Sequence, residues 1–258
     1  MSTLRHVNGT GGARRRHAPD VRSLTGGLAH ELADLVLPRP CPGCGGPAPW
    51  CVSCAATLGG RPREPVLTDV LEDFTLPALP VFRSLARYRG PVRAAIVAGK
   101  ERGRRDLPPL LGAAIGVGLL RLQAVSLIPQ HLWLVPAPTR RSAARRRGGD
   151  PVLMMARAAA RLLVQHGRAT GVAACLHTAA GASDSVRLTA AERAANLAGR
   201  VRVRAAALPP PRAAVVLIDD VLTTGATALA SCAALADFGL SVDCVLTLAA
   251  VPPWRPVR

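Results

Sequence analysis

The sequence predicts an α/β fold, a parallel sheet with helices on both faces, preceded by a small cysteine-rich segment. Three observations carry this expectation. Short apolar runs alternate with helix-like stretches from about residue 81 onward, four cysteines crowd into residues 41–54, and the apolar run VVLI (215–218) is followed at once by Asp219 and Asp220. Alternating strands and helices argue for parallel pairing, because parallel neighbours need a crossover long enough to hold a helix.

The chain has 258 residues, enough for one sizeable α/β domain plus an appendage. Hydrophobic residues make up 49%, so a full core is available and wholesale disorder is excluded. The 33 Lys+Arg against 16 Asp+Glu give a formal charge of +17. That balance favours polyanionic partners such as phosphorylated metabolites, nucleic acid or an anionic membrane. A GC-rich coding sequence gives the same charge by drift, and Lys100 is the sole lysine in a chain rich in Ala, Pro and Gly. Charge alone therefore decides little.

Residues 1–21 are basic and Gly-rich, a disordered arm or an over-called start. They lack the apolar core of a signal peptide, and LLGAAIGVGLL (110–120) is too short to span a bilayer. A cytoplasmic protein without membrane insertion is expected. From Arg22 to Leu37, Leu24, Leu28, Leu32, Leu35 and Val36 recur at helical spacing until Pro38 and Pro40 stop the helix. This helix and the cysteine segment form a unit over 22–58, and residues 59–80, with Gly, Pro and charge, read as a linker.

The main domain runs over 81–251, with a tail at 252–258. VFRSLARYRG (81–90) suits a strand entering a turn, and residues 91–100 and 107–122 suit helices. HLWLV (131–135) is a short buried strand. Asp150-Pro151 opens a helix through Gln165, with Asp150 as N-cap and Pro151 in the first turn. VAACL (172–176) reads as a strand, and 188–199 as a helix with Thr189 and Glu192 spaced as a capping box. A weakly alternating RVRV (201–204), the strand VVLI, a helix over 225–238 and a strand over 242–251 complete the chain.

Cys41-x2-Cys44-x6-Cys51-x2-Cys54 has the spacing of two metal knuckles. Each Cys-x-x-Cys brings two thiolates to one ion, and two pairs complete a tetrahedral site for Zn²⁺, with Zn–S near ~2.3 Å. Four thiolates leave no open position for water or substrate, so the expected role is structural, and a stretch this short needs the metal to stay folded. Free buried thiols or a redox Cys-x-x-Cys are the alternative. Cys175, Cys232 and Cys244 fall in predicted core elements and read as small hydrophobes.

In an open α/β sheet, ligands bind beyond the carboxyl ends of the strands. Asp219 and Asp220 should stand there, able to accept hydrogen bonds from a sugar diol or to help hold a divalent cation, a hard ion that prefers oxygen ligands. Thr223-Thr224-Gly225-Ala226-Thr227 then turns into a helix whose free N–H groups, joined by Thr hydroxyls, form a cup for phosphate. The stretch is neither a P-loop nor a dinucleotide fingerprint. The bland alternative is a capped helix after a core strand, with both acids solvated.

VVLIDDVLTTGAT resembles the phosphoribosyl-pyrophosphate (PRPP) motif of type I phosphoribosyltransferases. The resemblance implies a sheet of about five parallel strands. It also implies that Asp219 and Asp220 bind the ribose hydroxyls and that Val221 through Thr227, including Leu222, Thr224, Gly225 and Ala226, form the PRPP loop. More of the chain, roughly 24–250, resembles the ComF family of competence-associated, amidophosphoribosyltransferase-like proteins, which pair a zinc ribbon with this domain. The matching residues are Tyr88-Arg89-Gly90 with Lys100, Val135-Pro136-Ala137-Pro138, Arg147-Gly148, and Glu192-Arg193 with Asn196. The chain departs from that pattern at Gly149, where an aromatic is usual, and at Ser185, where Gln is usual.

The resemblance implies Mg²⁺ as the companion of PRPP and a loop after residue 138 that faces pyrophosphate. Arg140, Arg141, Arg145, Arg146 and Arg147 crowd that loop, and Arg140, Arg147 and Lys100 are the candidate pyrophosphate contacts. A solvated basic loop is the alternative. Family association with competence raises single-stranded DNA or competence-machinery proteins as other partners. At 3%, aromatics are too few for the stacking platforms that such DNA sites use.

Overall fold

The computed structural model describes residues 39–67, 76–139, 149–179, 200–251 and 253–254. The chain divides into Met1–Arg39 and Pro40–Arg258, and the elements below all belong to the second unit. Several expectations lie outside the described residues: the basic arm, the 22–37 helix, the arginines of 140–147, and the 188–199 helix with Glu192, Arg193 and Asn196.

Seven strands and five α-helices are described. In chain order they are α1 (Val52–Ala55), β1 (Val81–Arg87), α2 (Gly90–Glu101), α3 (Leu107–Ala124), β2 (Leu132–Pro136) and α4 (Pro151–Gln165). There follow β3 (Thr170–Val172), β4 (Leu176–Thr178), β5 (Val201–Val203), β6 (Val215–Leu222), α5 (Ala226–Ala236) and β7 (Cys244–Ala250). Five strands form one sheet in the order β1-β7-β6-β2-β3, all pairs parallel. β4 and β5 pair antiparallel in a separate ribbon.

The parallel sheet follows from strands that are apolar on both faces. Every residue of β7 is buried, as are Val215 to Ile218 of β6. One face packs Val216, Ile218, Leu246 and Leu248 against Ile96 of α2, Leu111 and Ile115 of α3, and Met155 of α4. The other packs Leu217 and Val245 against Leu229 and Leu235 of α5. Helices therefore cover both faces, as expected. α3 is long and apolar enough to cross a membrane by length and composition, with mean hydropathy 1.4, yet more than half of it is buried in the protein. It lies on α4 so closely that a Cβ on Gly112 would stand 2.4 Å from the Met155 carbonyl oxygen.

Two elements differ from the sequence reading. VAACL is not one strand: β3 ends at Val172, and β4 starts at Leu176 in the second ribbon. Between them, Ala173 N–H still donates to Leu134 O while Cys175 O accepts from Arg204 N–H, so the chain changes sheets across these three residues. β6 outruns VVLI by four residues, to Leu222. Its neighbour β7 extends alongside, with Asp219 opposite Thr247 and Leu222 opposite Ala250. The register with β2 ends at Pro136 opposite Ile218, and Ala137 N–H still donates to Ile218 O just beyond it.

Residues 59–67 and 254 are tied to the sheet. Arg63 bridges Ser84 of β1, Pro65 bridges Trp254, and the Arg63 guanidinium lies 5.1 Å from the Trp254 ring centre.

Candidate functional site

The chain leaves β2 outward to β3 but leaves β6 in the opposite direction to β7. The strand order thus reverses between β2 and β6, and a crevice opens at their carboxyl ends, the place where such sheets bind ligands. It encloses about 480 Å³, lined by Asp219, Asp220, Val221, Thr223 and Thr227 from β6 and the turn into α5, by Lys100 and Glu101 of α2, and by Tyr88 and Thr139. Asp219 and Asp220 sit just past the last β2 bond, Ala137 N–H to Ile218 O at 2.8 Å. They are within the β7 ladder on one side and open to the crevice on the other.

Consecutive strand residues point to opposite faces, so the two acids meet different surroundings. Asp220 is 3% exposed. Its Oδ2 lies 2.6 Å from Lys100 Nζ, and its Oδ1 accepts from Val221 N–H at 2.8 Å. Asp219 Oδ1 accepts from Asp220 N–H at 2.8 Å. Burial first, and then the Asp220 charge, push the Asp219 carboxyl up to about 8, with Lys100 pulling the other way. Among the described residues, Lys100 is the cationic side chain that lines the crevice with the two acids.

The turn after β6 is built on Gly225, whose φ of 89° is in the left-handed region that favours glycine. Thr224 Oγ1 accepts from Ala226 N–H at 3.3 Å, a local cap for the first turn of α5. Of the nine residues expected in the PRPP loop, Asp219, Asp220, Val221, Thr223 and Thr227 line the crevice. Leu222 and Ala226 are buried in the core instead, and Thr224 and Gly225 shape the turn. Lys100, a candidate pyrophosphate contact, lines the same crevice. Arg140 and Arg147 lie outside the described residues.

Sequence reasoning missed Glu101 and Thr139. Thr139 Oγ1 donates to Asp150 Oδ1 at 3.0 Å, and the same oxygen caps α4 by accepting from Val152 and Leu153 N–H. The Asp150-Pro151 signal identified that cap but not its link to the crevice.

The second candidate site is the cysteine cluster. The sulfurs of Cys41, Cys44, Cys51 and Cys54 all lie within 4.8 Å of one another, while a tetrahedral Zn–S4 centre needs about 3.8 Å between sulfurs. Burial opposes ionisation of Cys41, yet backbone N–H groups of Cys51, Gly43 and Cys44 outweigh it and bring the thiol down to about 6. Burial and the neighbouring sulfurs push Cys54 up. Four sulfurs gathered within reach of one ion, with backbone N–H groups turned toward Cys41, are a donor set that fits a cation such as zinc. Cys175, Cys232 and Cys244 are buried in the core, where burial pushes the last two up to about 12.

No family model matches this sequence, and no curated protein matches it.

Proposed function

We propose that this chain is a ComF-like protein of the type I phosphoribosyltransferase kind, which binds PRPP or another ribose 5-phosphate in the β6 crevice and holds a structural zinc in its cysteine ribbon. One observation carries the reading: Asp219, Asp220, Thr223, Thr227 and Lys100 converge on one crevice at the point where the strand order reverses. The carboxylates are placed to accept hydrogen bonds from a ribose diol. The Thr223 and Thr227 hydroxyls, with backbone N–H groups at the start of α5, take the 5-phosphate, and Lys100 reaches toward the pyrophosphate.

The oxygen donors of Asp219 and Asp220 fit Mg²⁺, a hard ion held through one or two carboxylates plus substrate phosphates. When bound it supplies charge neutralisation at the pyrophosphate. In a transfer reaction a nitrogen of the acceptor bonds to ribose C1, the C1–O bond breaks, and pyrophosphate leaves with its electron pair. Positioning and charge stabilisation do most of this work, so no nucleophilic Ser or Cys is needed.

The test is thermal unfolding with and without Mg²⁺-PRPP, beside an Asp219→Asn/Asp220→Asn variant. Ligand at ~100 times its dissociation constant adds about 2.7 kcal/mol, a rise on the order of 5–10 °C for a chain this size. A rise lost in the variant supports the reading; no rise in the unaltered protein refutes it.

A second reading is DNA handling, with PRPP binding regulatory or vestigial. It is favoured by Arg63, Arg87 and Arg89 around a cavity of about 390 Å³ beside the start of α2, none of them paired with a carboxylate among the described residues. A gel shift at near-physiological salt that finds no affinity for single-stranded DNA excludes its direct form.

A further inference from the structure

We infer that the cysteine centre and the crevice are coupled through α2, so that metal in the ribbon sets how Lys100 meets Asp220 and each site tunes the affinity of the other. The inference rests on the crevice being the ribose-phosphate site proposed above.

The ribbon grips α2 at both ends. At the start, Gly43 of the first knuckle is wedged between a metal ligand and the helix. A Cβ there would lie 2.7 Å from Cys54 Sγ and 2.8 Å from Pro91 Cβ. Past the other end the chain folds back, with Arg104 N–H donating to Ala98 O at 3.2 Å. The Arg104 guanidinium then donates to Pro40 O at 2.9 Å and Pro49 O at 3.2 Å. Asp106 holds the same guanidinium, with Nε at 2.9 Å and Nη2 at 2.7 Å. Pro40 precedes Cys41 and Pro49 lies just before Cys51, so one side chain ties together the two segments that lead into the cysteine pairs.

Between these grips α2 supplies Ile96, Val97, Lys100 and Glu101 to the crevice wall. Lys100 lies in the last turn of α2, just before the chain folds back to Arg104, and its contact with Asp220 is short enough that a small shift of the helix end alters it.

Within 41–54 only Cys41 and Cys54 are buried and Trp50 packs partly buried against the core, too little to close the loop without a metal. Losing the metal frees the two carbonyls that Arg104 holds and the packing under Pro91. Val92, Ala95, Ile96 and Ala98 remain buried in the core, so α2 stays folded and loses position rather than structure. Because coupling between two binding sites is reciprocal, PRPP must tighten metal binding by the factor that metal tightens PRPP.

The experiment compares zinc-loaded protein, protein stripped with a zinc chelator that is removed before Mg²⁺ is added, and zinc-loaded Arg104→Met, which leaves every cysteine in place. Mg²⁺-PRPP affinity and amide exchange are measured on each. Stripping is expected to weaken affinity about tenfold, within the usual range of such couplings, and Arg104→Met to weaken it by less, with Arg104→Lys intermediate. Exchange should rise in residues 92–101 while β6 and β7 keep their protection. Competition with a chelator should show zinc held about tenfold more tightly in the presence of Mg²⁺-PRPP. Unchanged PRPP affinity and unchanged α2 exchange, in stripped protein and Arg104→Met alike, overturn the coupling. If no form binds PRPP the ribose-phosphate reading fails, and the exchange of α2 on zinc removal still decides whether the ribbon positions the helix.

Discussion

The cysteine ribbon and the β6 crevice both gather donor groups on a short stretch of chain, but opposite means hold them there. In the ribbon the donors are the structure: of residues 41–54 only two ligands, Cys41 and Cys54, are buried. In the crevice the donors hang on a structure that does not need them, since Val215 to Ile218 and all of β7 are buried whatever follows. Removing a donor should therefore unfold the first site and merely disarm the second.

The largest effect tests the ribbon. Structural zinc contributes about 10–16 kcal/mol of apparent binding free energy in small finger peptides, so Cys41→Ser or Cys54→Ser should lose stoichiometric zinc. Exchange protection should vanish over residues 41–58 while β6 and β7 keep theirs, read by metal analysis and amide exchange on the same sample. Zinc retained at one per chain in either variant would remove the contrast between the two regions.

The crevice should behave in the reverse way. The Asp219 carboxyl is raised from 3.8 to about 8 in the folded protein. A raised folded value favours the protonated form, so the stability it brings is full below the unfolded value near ~4 and is lost as pH rises through 8. The ligand-free protein should lose stability across that window, and Asp219→Asn, which cannot ionise, should lose less. If the crevice binds Mg²⁺-PRPP through the ionised carboxylate as proposed, affinity should climb over the same interval. Parallel unfolding curves for the two proteins from pH 5 to 8.5 would mean that Asp219 is not the strained group.

How far the sequence reveals each region follows the same divide. The cysteine spacing is local, and the four sulfurs do converge. The strands β1, β2, β6 and β7 and the helices α2 to α5 are legible because each is a continuous apolar or periodic run. Hidden were the features that depend on neighbours. β6 continues past Ile218 only because β7 runs beside it, and the split of VAACL depends on Arg204, far along the chain. Within the loop motif, residue types suggested nine contacts, but the alternation of a strand and the demand for a core turn Leu222 and Ala226 inward. Thr139 and the Arg104 grip carry no local signal, since each acquires its role from a partner elsewhere in the chain, and Glu101 counts only through the crevice it lines.

A smaller effect probes the turn that joins strand to helix. Gly225 has φ 89°, and a Cβ there would stand 3.4 Å from Leu67 Cδ2. Left-handed backbone costs an L-residue roughly 1–2 kcal/mol, so Gly225→Ala should lower the melting temperature by about 2–8 °C. It should also shrink the Mg²⁺-PRPP shift, because the N–H groups at the start of α5 move with the turn. A normal ligand shift in a destabilised variant would separate the turn from the phosphate grip.

The smallest effect lies where the two kinds of support meet. Asp150 Oδ1 caps α4 through Val152 and Leu153 and also receives the Thr139 hydroxyl from the crevice wall. Losing an N-cap acid to alanine costs about 1 kcal/mol, and Asp150→Asn, which keeps the accepting oxygen, should cost less. Thr139→Val leaves the cap intact and breaks only the link to the crevice. If the crevice is as independent of its supports as its buried strands imply, Thr139→Val should leave both melting temperature and PRPP affinity nearly unchanged, and Asp150→Ala should lower only the former. A loss of affinity in Thr139→Val at full stability would show instead that this side of the crevice, like the side formed by α2, is held in place by a partner outside the sheet.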